Sequence, residues 1–372
     1  MSDKKRIDFI NLKSSEVQKR YFKRTIADLI DNSIFIGGNK LESFEKNFSK
    51  FTQTKYCLGV ANGTDALEIA IESLDLPKNS EIIVPNFTFL SPAEAVLRSG
   101  FKLVLADVQK DGFNIDLDLV ERNITKNTSA IILVHLFGYP CDLKKATDLS
   151  NRYGLRIIED CSQAHGAKFE NKNVGSFGDV ATFSFYPTKN LGAFGDSGSI
   201  NTNSKKIFEK AKLIATHGRK GNYDHIYAGR NSRLDSIQAA ILDIKLKDLV
   251  KNNKKREKIA SKYESFLGNE VPSIRLFQYS KKRENVYHQF PLLTNRRDNL
   301  IKFLKKRNIY SGIYYPKTLH KMNAFKNNKN VKVLETKNST FLTKNIVSLP
   351  MGPHMSLKDT DYVLSNVKEF FN

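Results

Sequence analysis

The chain has 372 residues, 40% hydrophobic and 27% charged, which suits one large and one smaller unit, each able to bury its own core. No uninterrupted apolar run approaches the ~20 residues that span a bilayer, and the opening MSDKKRIDFINLKSSEV lacks the core of a signal peptide, so no membrane partner is expected and the cytoplasm is the expected location. The net charge of +21 is spread through segments such as KKIFEKAKL and IKLKDLVKNNKKREK without a nucleic-acid motif, so no nucleic-acid partner is expected, while an anionic small substrate is compatible.

From about Lys55, short apolar runs alternate with amphipathic segments. YCLGVA precedes NGTDALEIAIESL, EIIVP precedes NFTFLSPAEAVLRSG, KLVLADV precedes IDLDLVERNI, and AIILVHLFG precedes DLKKATDLSNRYG. LRIIED then leads to ATFSFYP and GSINTN. β-rich runs separated by helical periodicity predict an α/β fold with a mainly parallel, buried sheet and helices on both faces. Such sheets bind ligands beyond the carboxyl ends of their strands. RLDSIQAAILDIKLKDLVKNNKKREKIASKYESFL predicts one long connecting helix, after which VYHQFPLLT, a helix around DNLIKFLKKRNI and the strand IVSLP predict a smaller α+β unit. The expected division is residues 1–249 and 250–372. Cys57, Cys141 and Cys161 lie in apolar or turn contexts without CxxC spacing, so neither a disulfide framework nor a zinc site is expected, and the histidines show no metal spacing.

Four segments fall where ligand-facing loops belong. In NGTDAL, Gly63 allows close backbone approach and Thr64 brings a hydroxyl to a helix start; the pair reads equally as a phosphate site or an ordinary cap. In IIEDCSQAHG, Asp160 closes an apolar strand and needs a cation or donors; a protonated ring nitrogen of a cofactor supplies one, nearby N–H groups the other. In FSFYPTKNLGAFGDSGSI, Ser184 is a phosphate ligand candidate, and Lys189 stands on a turn apolar enough to lower its pKa, as an imine-forming lysine requires. In GRNSRLDSIQAA, Asn231, Arg233 and Asp235 precede the long helix, where a solvated helix start is the plain alternative. His165, in QAHGA, reads equally as a contact or a core histidine.

The ordered set, from INLKSS through NGTDAL, VPNFTF, VHLFGYP, IEDCSQAHGA, VGSFGDVATFSFYPTKNLGAFGDSG and NSRLD to VSLPMGP, resembles the DegT/StrS group of sugar aminotransferases, within the fold-type I class that uses pyridoxal phosphate (PLP). The resemblance implies that Lys189 is the Schiff-base lysine, that Asp160 pairs with the pyridinium nitrogen, and that Gln163 lies beside the phenolic oxygen. It places Phe89 on the ring face, makes Gly63, Thr64 and Ser184 phosphate ligands, and has Asn231 reach the neighbouring subunit's cofactor, hence a homodimer with shared sites. It also implies glutamate as amino donor and a nucleotide-linked ketosugar as acceptor, giving an amino sugar for surface polysaccharide or secondary-metabolite glycans. The wording of NSRLD and FYPTKNLGAFGD is closer to members acting on 3-keto than on 4-keto sugars. Related dehydratases replace the lysine with histidine, and Lys189 argues against that chemistry here. Candidate substrate contacts are Tyr186, Arg219, Tyr223, Arg230, Tyr314, Tyr315 and His320; where relatives have His-Tyr-Pro, this chain has Tyr314-Tyr315-Pro316. A non-catalytic regulator on the same fold would be expected to lose Lys189 or Asp160, and both are present.

Overall fold

Capping side chains start several of the helices, and two buried faces make strands of the apolar runs. The computed structural model describes residues 6–221 and 223–372, opening with α1 (Glu16–Asp31) and α2 (Gly38–Thr52). Strand and helix then alternate through β1 (Tyr56–Val60), α3 (Gly63–Ser73), β2 (Glu81–Pro85), α4 (Ser91–Arg98), β3 (Lys102–Ala106), α5 (Leu117–Arg122), β4 (Thr128–Val134), α6 (Leu143–Tyr153) and β5 (Arg156–Asp160). The side chains of Asn62, Asp116 and Asp142 each accept a first-turn backbone N–H of α3, α5 and α6. A short ladder of β6 (Lys168–Phe169) and β7 (Lys172–Asn173) leads to β8 (Val180–Ser184) and β9 (Gly198–Thr202). Next come α7 (Lys205–Ala215), the hairpin of β10 (Arg219–Lys220) and β11 (Asp224–His225), and the 35-residue α8 (Ser236–Glu270). The remainder supplies β12 (Arg275–Leu276), β13 (Arg283–Glu284), β14 (Phe290–Leu293), α9 (Arg297–Lys306), β15 (Val331–Val333), α10 (Lys337–Asn345), β16 (Ile346–Leu349) and α11 (Leu357–Phe371).

The main sheet has eight strands in the order β1-β9-β8-β5-β4-β2-β3-β15. From β8 to β15 the pairing is parallel, while β9 runs against both β8 and β1. Alternate residues fill opposite layers: Ile82 and Val84 join Leu67 and Ala70 of α3, whereas Ile83 joins Phe44 and Phe48 of α2 and Leu242 of α8. Burial of each such side chain contributes about 1.5–3 kcal/mol, which is why these strands read as continuous apolar runs. The expected α/β sheet with helices on both faces is therefore present. Because Val60 and Ser184 both register against Gly198, the carboxyl ends of β1 and β8 share one rim with those of β2, β4 and β5.

A second core lies around the antiparallel sheet β12-β14-β16, where Tyr263 and Leu267 of α8 meet Phe290, Leu300, Val347 and Val363. The expected division at 249/250 falls inside α8, between Leu249, which packs with the large sheet, and Ile259, which packs with the second core. Two segments cross that division. Val331–Val333 extend the main sheet by pairing with β3, and Ile7 packs in the second core while bridging to Ile309. Edge pairing and core packing join segments hundreds of residues apart, so a single cut in sequence does not separate the two cores. No described helix is long and apolar enough to cross a membrane.

Candidate active site

The shared rim of strand ends builds the site. After β1, Asn62 caps α3, and Gly63 and Thr64 form its first turn. A Cβ on Gly63 would stand 2.6 Å from Ser184 Cβ, and one on Gly198 would stand 2.5 Å from the backbone of Asn62. The absence of both side chains lets the α3 N-terminus settle directly on the ends of β8 and β9. Three hydroxyls gather there, with Thr64 Oγ1 2.8 Å from Ser91 Oγ and Ser184 at the end of β8. Free first-turn N–H groups, a positive helix end and hydroxyls make a cradle for a phosphate-sized anion.

Asp160 ends β5, 6% exposed, and accepts one side-chain hydrogen bond, from Ser162 N–H at 3.0 Å. No cation among the described residues forms an ion pair with it, so one face of a buried carboxylate is left for a ligand. Gln163 is held at both ends: its Oε1 accepts Phe137 N–H at 2.8 Å, and its Nε2 donates to the Tyr315 hydroxyl at 3.1 Å. The Tyr315 ring lies 6.4 Å from that of Phe89, which is 51% exposed. Burial pushes the Tyr315 phenol above its ordinary value. Asp160, Gln163, Phe89 and Tyr315 thus form one wall.

Lys189 closes the arrangement. Burial lowers its amine below the ordinary range, and the charge of Asp160 pulls the other way. A lysine so held is a nucleophile toward carbonyls and a proton carrier. His165 lies behind the lysine turn, its ring 5.6 Å from both Phe183 and Phe185 and fully buried. Neither ring nitrogen makes a hydrogen bond of good geometry among the described residues, and burial, then the charge of Lys189, pushes its pKa down to about 3. It is a core histidine.

Several sequence candidates stand elsewhere in the single chain. Asn231 is exposed and bridges Thr216; Arg219 is exposed on β10; Tyr223 is 94% exposed. Arg230, a candidate substrate contact, is paired through Nη1 with Glu68 and through Nη2 with Glu72 of α3, so its charge is balanced within the chain. Tyr186, 51% exposed, follows Ser184 at the rim. Tyr314 stacks on Phe9 at 5.8 Å, and the backbone N–H of His320 donates to the buried Asn86 at 3.1 Å, so both are partly occupied in packing.

Sequence reasoning missed the support behind Asp160. Glu159 is fully buried and accepts from His135 Nε2 at 3.0 Å and from the backbone N–H groups of Gly175, Phe177 and Gly178 at 2.9, 2.8 and 2.8 Å. His135 Nδ1 accepts Cys141 N–H at 3.0 Å, so the ring proton is on Nε2 and points at Glu159. His135 also donates its backbone N–H to the Asp160 carbonyl at 3.1 Å. Burial alone would raise the Glu159 carboxyl, but the bond from His135 and the backbone donors hold it below its ordinary value. The signal was the consecutive Glu-Asp at a strand end, since strand alternation must send the two to opposite faces.

The model of the DegT/DnrJ/EryC1/StrS aminotransferase family matches residues 17–368. The dTDP-3-amino-3,6-dideoxy-alpha-D-galactopyranose transaminase of Aneurinibacillus thermoaerophilus is 36% identical over 372 residues, covering 98% of this chain and 99% of that protein. A Geobacillus stearothermophilus protein named pleiotropic regulatory protein is 36% identical, covering 96% of each. The crystal structure of S. venezuelae DesV in complex with a ketimine intermediate superposes with a TM-score of 0.94 at 34% identity, covering 99% of both chains.

Proposed function

Because the chain belongs to the DegT/DnrJ/EryC1/StrS aminotransferase family, we propose that it moves an amino group from L-glutamate to the 3-keto carbon of a nucleotide-linked sugar, with PLP as cofactor and a homodimer as the active unit. The observation that carries this reading is the desolvated amine of Lys189 beside the open carboxylate of Asp160, next to the anion cradle of Gly63, Thr64 and Ser184.

The residues fit that cofactor. The α3 cradle would hold the phosphate, Phe89 and Gln163 would contact the ring, Asp160 would keep the ring nitrogen protonated, and Lys189 would carry the covalent link. Bound PLP supplies an electron sink for the negative charge left at the donor's α-carbon. Lys189 Nζ takes the proton from that carbon and returns one to the sugar carbon that receives the amino group. Over the cycle, L-glutamate leaves as 2-oxoglutarate and the keto carbon becomes an amine.

The 3-keto position is supported by the wording of the lysine turn and by the 3-amino sugar in the name of the A. thermoaerophilus relative. A 4-keto acceptor is the nearest alternative. A regulatory role is suggested by the name of the G. stearothermophilus relative, and the intact, desolvated lysine favours an enzyme. The dimer reading is supported by the exposure of Asn231, Arg219 and Tyr223 on the single chain, where a second subunit can reach them. The test is turnover of dTDP- and UDP-linked 3-keto and 4-keto sugars with L-glutamate, followed as 2-oxoglutarate; formation with 3-keto sugars is expected, and none with any sugar overturns the reading. Mixing inactive Lys189→Ala with an impaired Asn231→Ala under subunit exchange should restore activity in one site of each mixed dimer. No recovery would place both residues in a single-chain site.

A further inference from the structure

The turn that carries Lys189 also forms one wall of a second space, a cavity of about 400 Å³ between residues 9–18, residues 187–194, α8 and the loop after β16. Its charged and titratable lining consists of Lys13, Lys189, Lys245, Arg256, His288 and His354, without one Asp or Glu among the described residues. A wall so one-sided leaves its cations to find an anion elsewhere.

Two of those cations are built in rather than solvated. Arg256 is 8% exposed, and its Nη1 donates to the carbonyl oxygens of Tyr287, His288 and Met351 at 3.1, 3.4 and 3.4 Å. No hydrogen bond of its Nε or Nη2 is found among the described residues, and Arg256 lines the cavity. Other partly buried arginines are neutralised: Arg230 by Glu68 and Glu72, Arg283 by Asp142, Arg297 by Asp298. Arg256 has no such acid. Lys245 donates to the Gly192 carbonyl at 2.6 Å and lies 4.6 Å from the centre of the Phe194 ring, again without a carboxylate. Burial lowers Lys245 to about 8 and Arg256 to about 10, the cost of cations held without a counter-ion.

We propose that this cavity binds the carboxylates of a dicarboxylic amino-acid donor, with Arg256 and Lys245 as the anion-recognising groups and Lys13 at its exposed edge. The inference rests on the aminotransferase reading, because Lys189, whose amine the donor must reach, lines the same space. A donor with two carboxylates matches two unneutralised cations, whereas a neutral side chain leaves one unpaired, which biases the site toward glutamate or aspartate and against alanine.

Calorimetric titration of the PLP-loaded enzyme with succinate, an unreactive dicarboxylate, tests binding without turnover. Succinate should bind wild type, compete with L-glutamate, and lose about tenfold or more in affinity in Lys245→Gln and in Arg256→Lys. In the half-reaction with L-glutamate alone, Lys245→Gln should raise KM by about the same factor with kcat little changed, while the KM for L-alanine moves less. Arg256→Lys keeps the charge but weakens three carbonyl contacts, so thermal unfolding accompanies it, and Lys245→Gln decides the matter if that variant misfolds. Absence of succinate binding to wild type, or unchanged affinity in Lys245→Gln, overturns the proposal. If inorganic pyrophosphate binding and the ketosugar KM worsen instead, the cavity serves the sugar's diphosphate and the donor assignment is wrong. Succinate binding that is lost in Lys245→Gln while no sugar is aminated would keep the anion site and reject the sugar aminotransferase reading.

Discussion

Glu159 and Asp160 are consecutive residues of β5 and meet opposite fates. Glu159 faces a sealed pocket in which a histidine and three backbone N–H groups satisfy it; Asp160 faces the rim with a single donor and an open side. The contrast separates two uses of a buried carboxylate. Where donors from its own chain fill its lone pairs, the charge organises the chain around it, here residues 174–178 and the end of β4. Where they do not, the charge is held ready for a group that arrives later.

The largest effect expected at the open side is from Lys189→Ala, which should lower transamination by about 10⁴-fold and abolish the borohydride-trappable link to the cofactor. A reducible adduct surviving in that variant would move the covalent role to another lysine. Asp160→Asn keeps size and hydrogen bonding but loses the charge, so turnover should fall by about 10²–10³-fold with cofactor still bound and the melting temperature little changed. Unchanged turnover with a lowered melting temperature would turn Asp160 into a second structural acid and erase the contrast.

On the sealed side the order of effects reverses. Glu159→Gln brings an amide NH₂ against a cage of N–H donors and should cost about 3 kcal/mol in denaturant unfolding, while the folded fraction keeps most of its turnover. A large loss of turnover at unchanged stability would show that Glu159 acts on the chemistry. The smallest effect is on pH dependence. Because the folded-state pKa of Glu159 lies below its ordinary 4.5, its contribution to stability is complete above that value and is lost as pH falls through the folded-state pKa. Glu159→Gln should therefore lose stability less steeply than wild type in urea titrations below about pH 4.5, and parallel curves would show that this carboxyl does not titrate on unfolding.

Much of this arrangement is local and so is readable in one dimension. Ile82, Ile83 and Val84 are apolar in succession because both faces of the sheet are covered, and that pattern announces a parallel strand before any contact is known. Asn62, Gly63 and Thr64 form a cap and first turn whose conformation depends on near neighbours, and Lys189 is marked by the proline and glycines around it. Arg230 shows the opposite case. Nothing near it in the chain indicates that Glu68 and Glu72, about 160 residues earlier, will occupy its guanidinium.

Composition, period and motif order were sufficient for the α/β sheet, for the strand-end placement of Asp160 and for the isolation of Lys189, because each depends on residues within a turn or two of one another. The closure of the Glu159–His135 pair, the pairing of Val331–Val333 with β3, and the cavity where Arg256 and Lys245 stand without an acid all depend on segments that meet only after the sheet has assembled. Those contacts are energetic consequences of burial and charge in three dimensions, and the identity of a residue does not by itself say which distant partner will satisfy it.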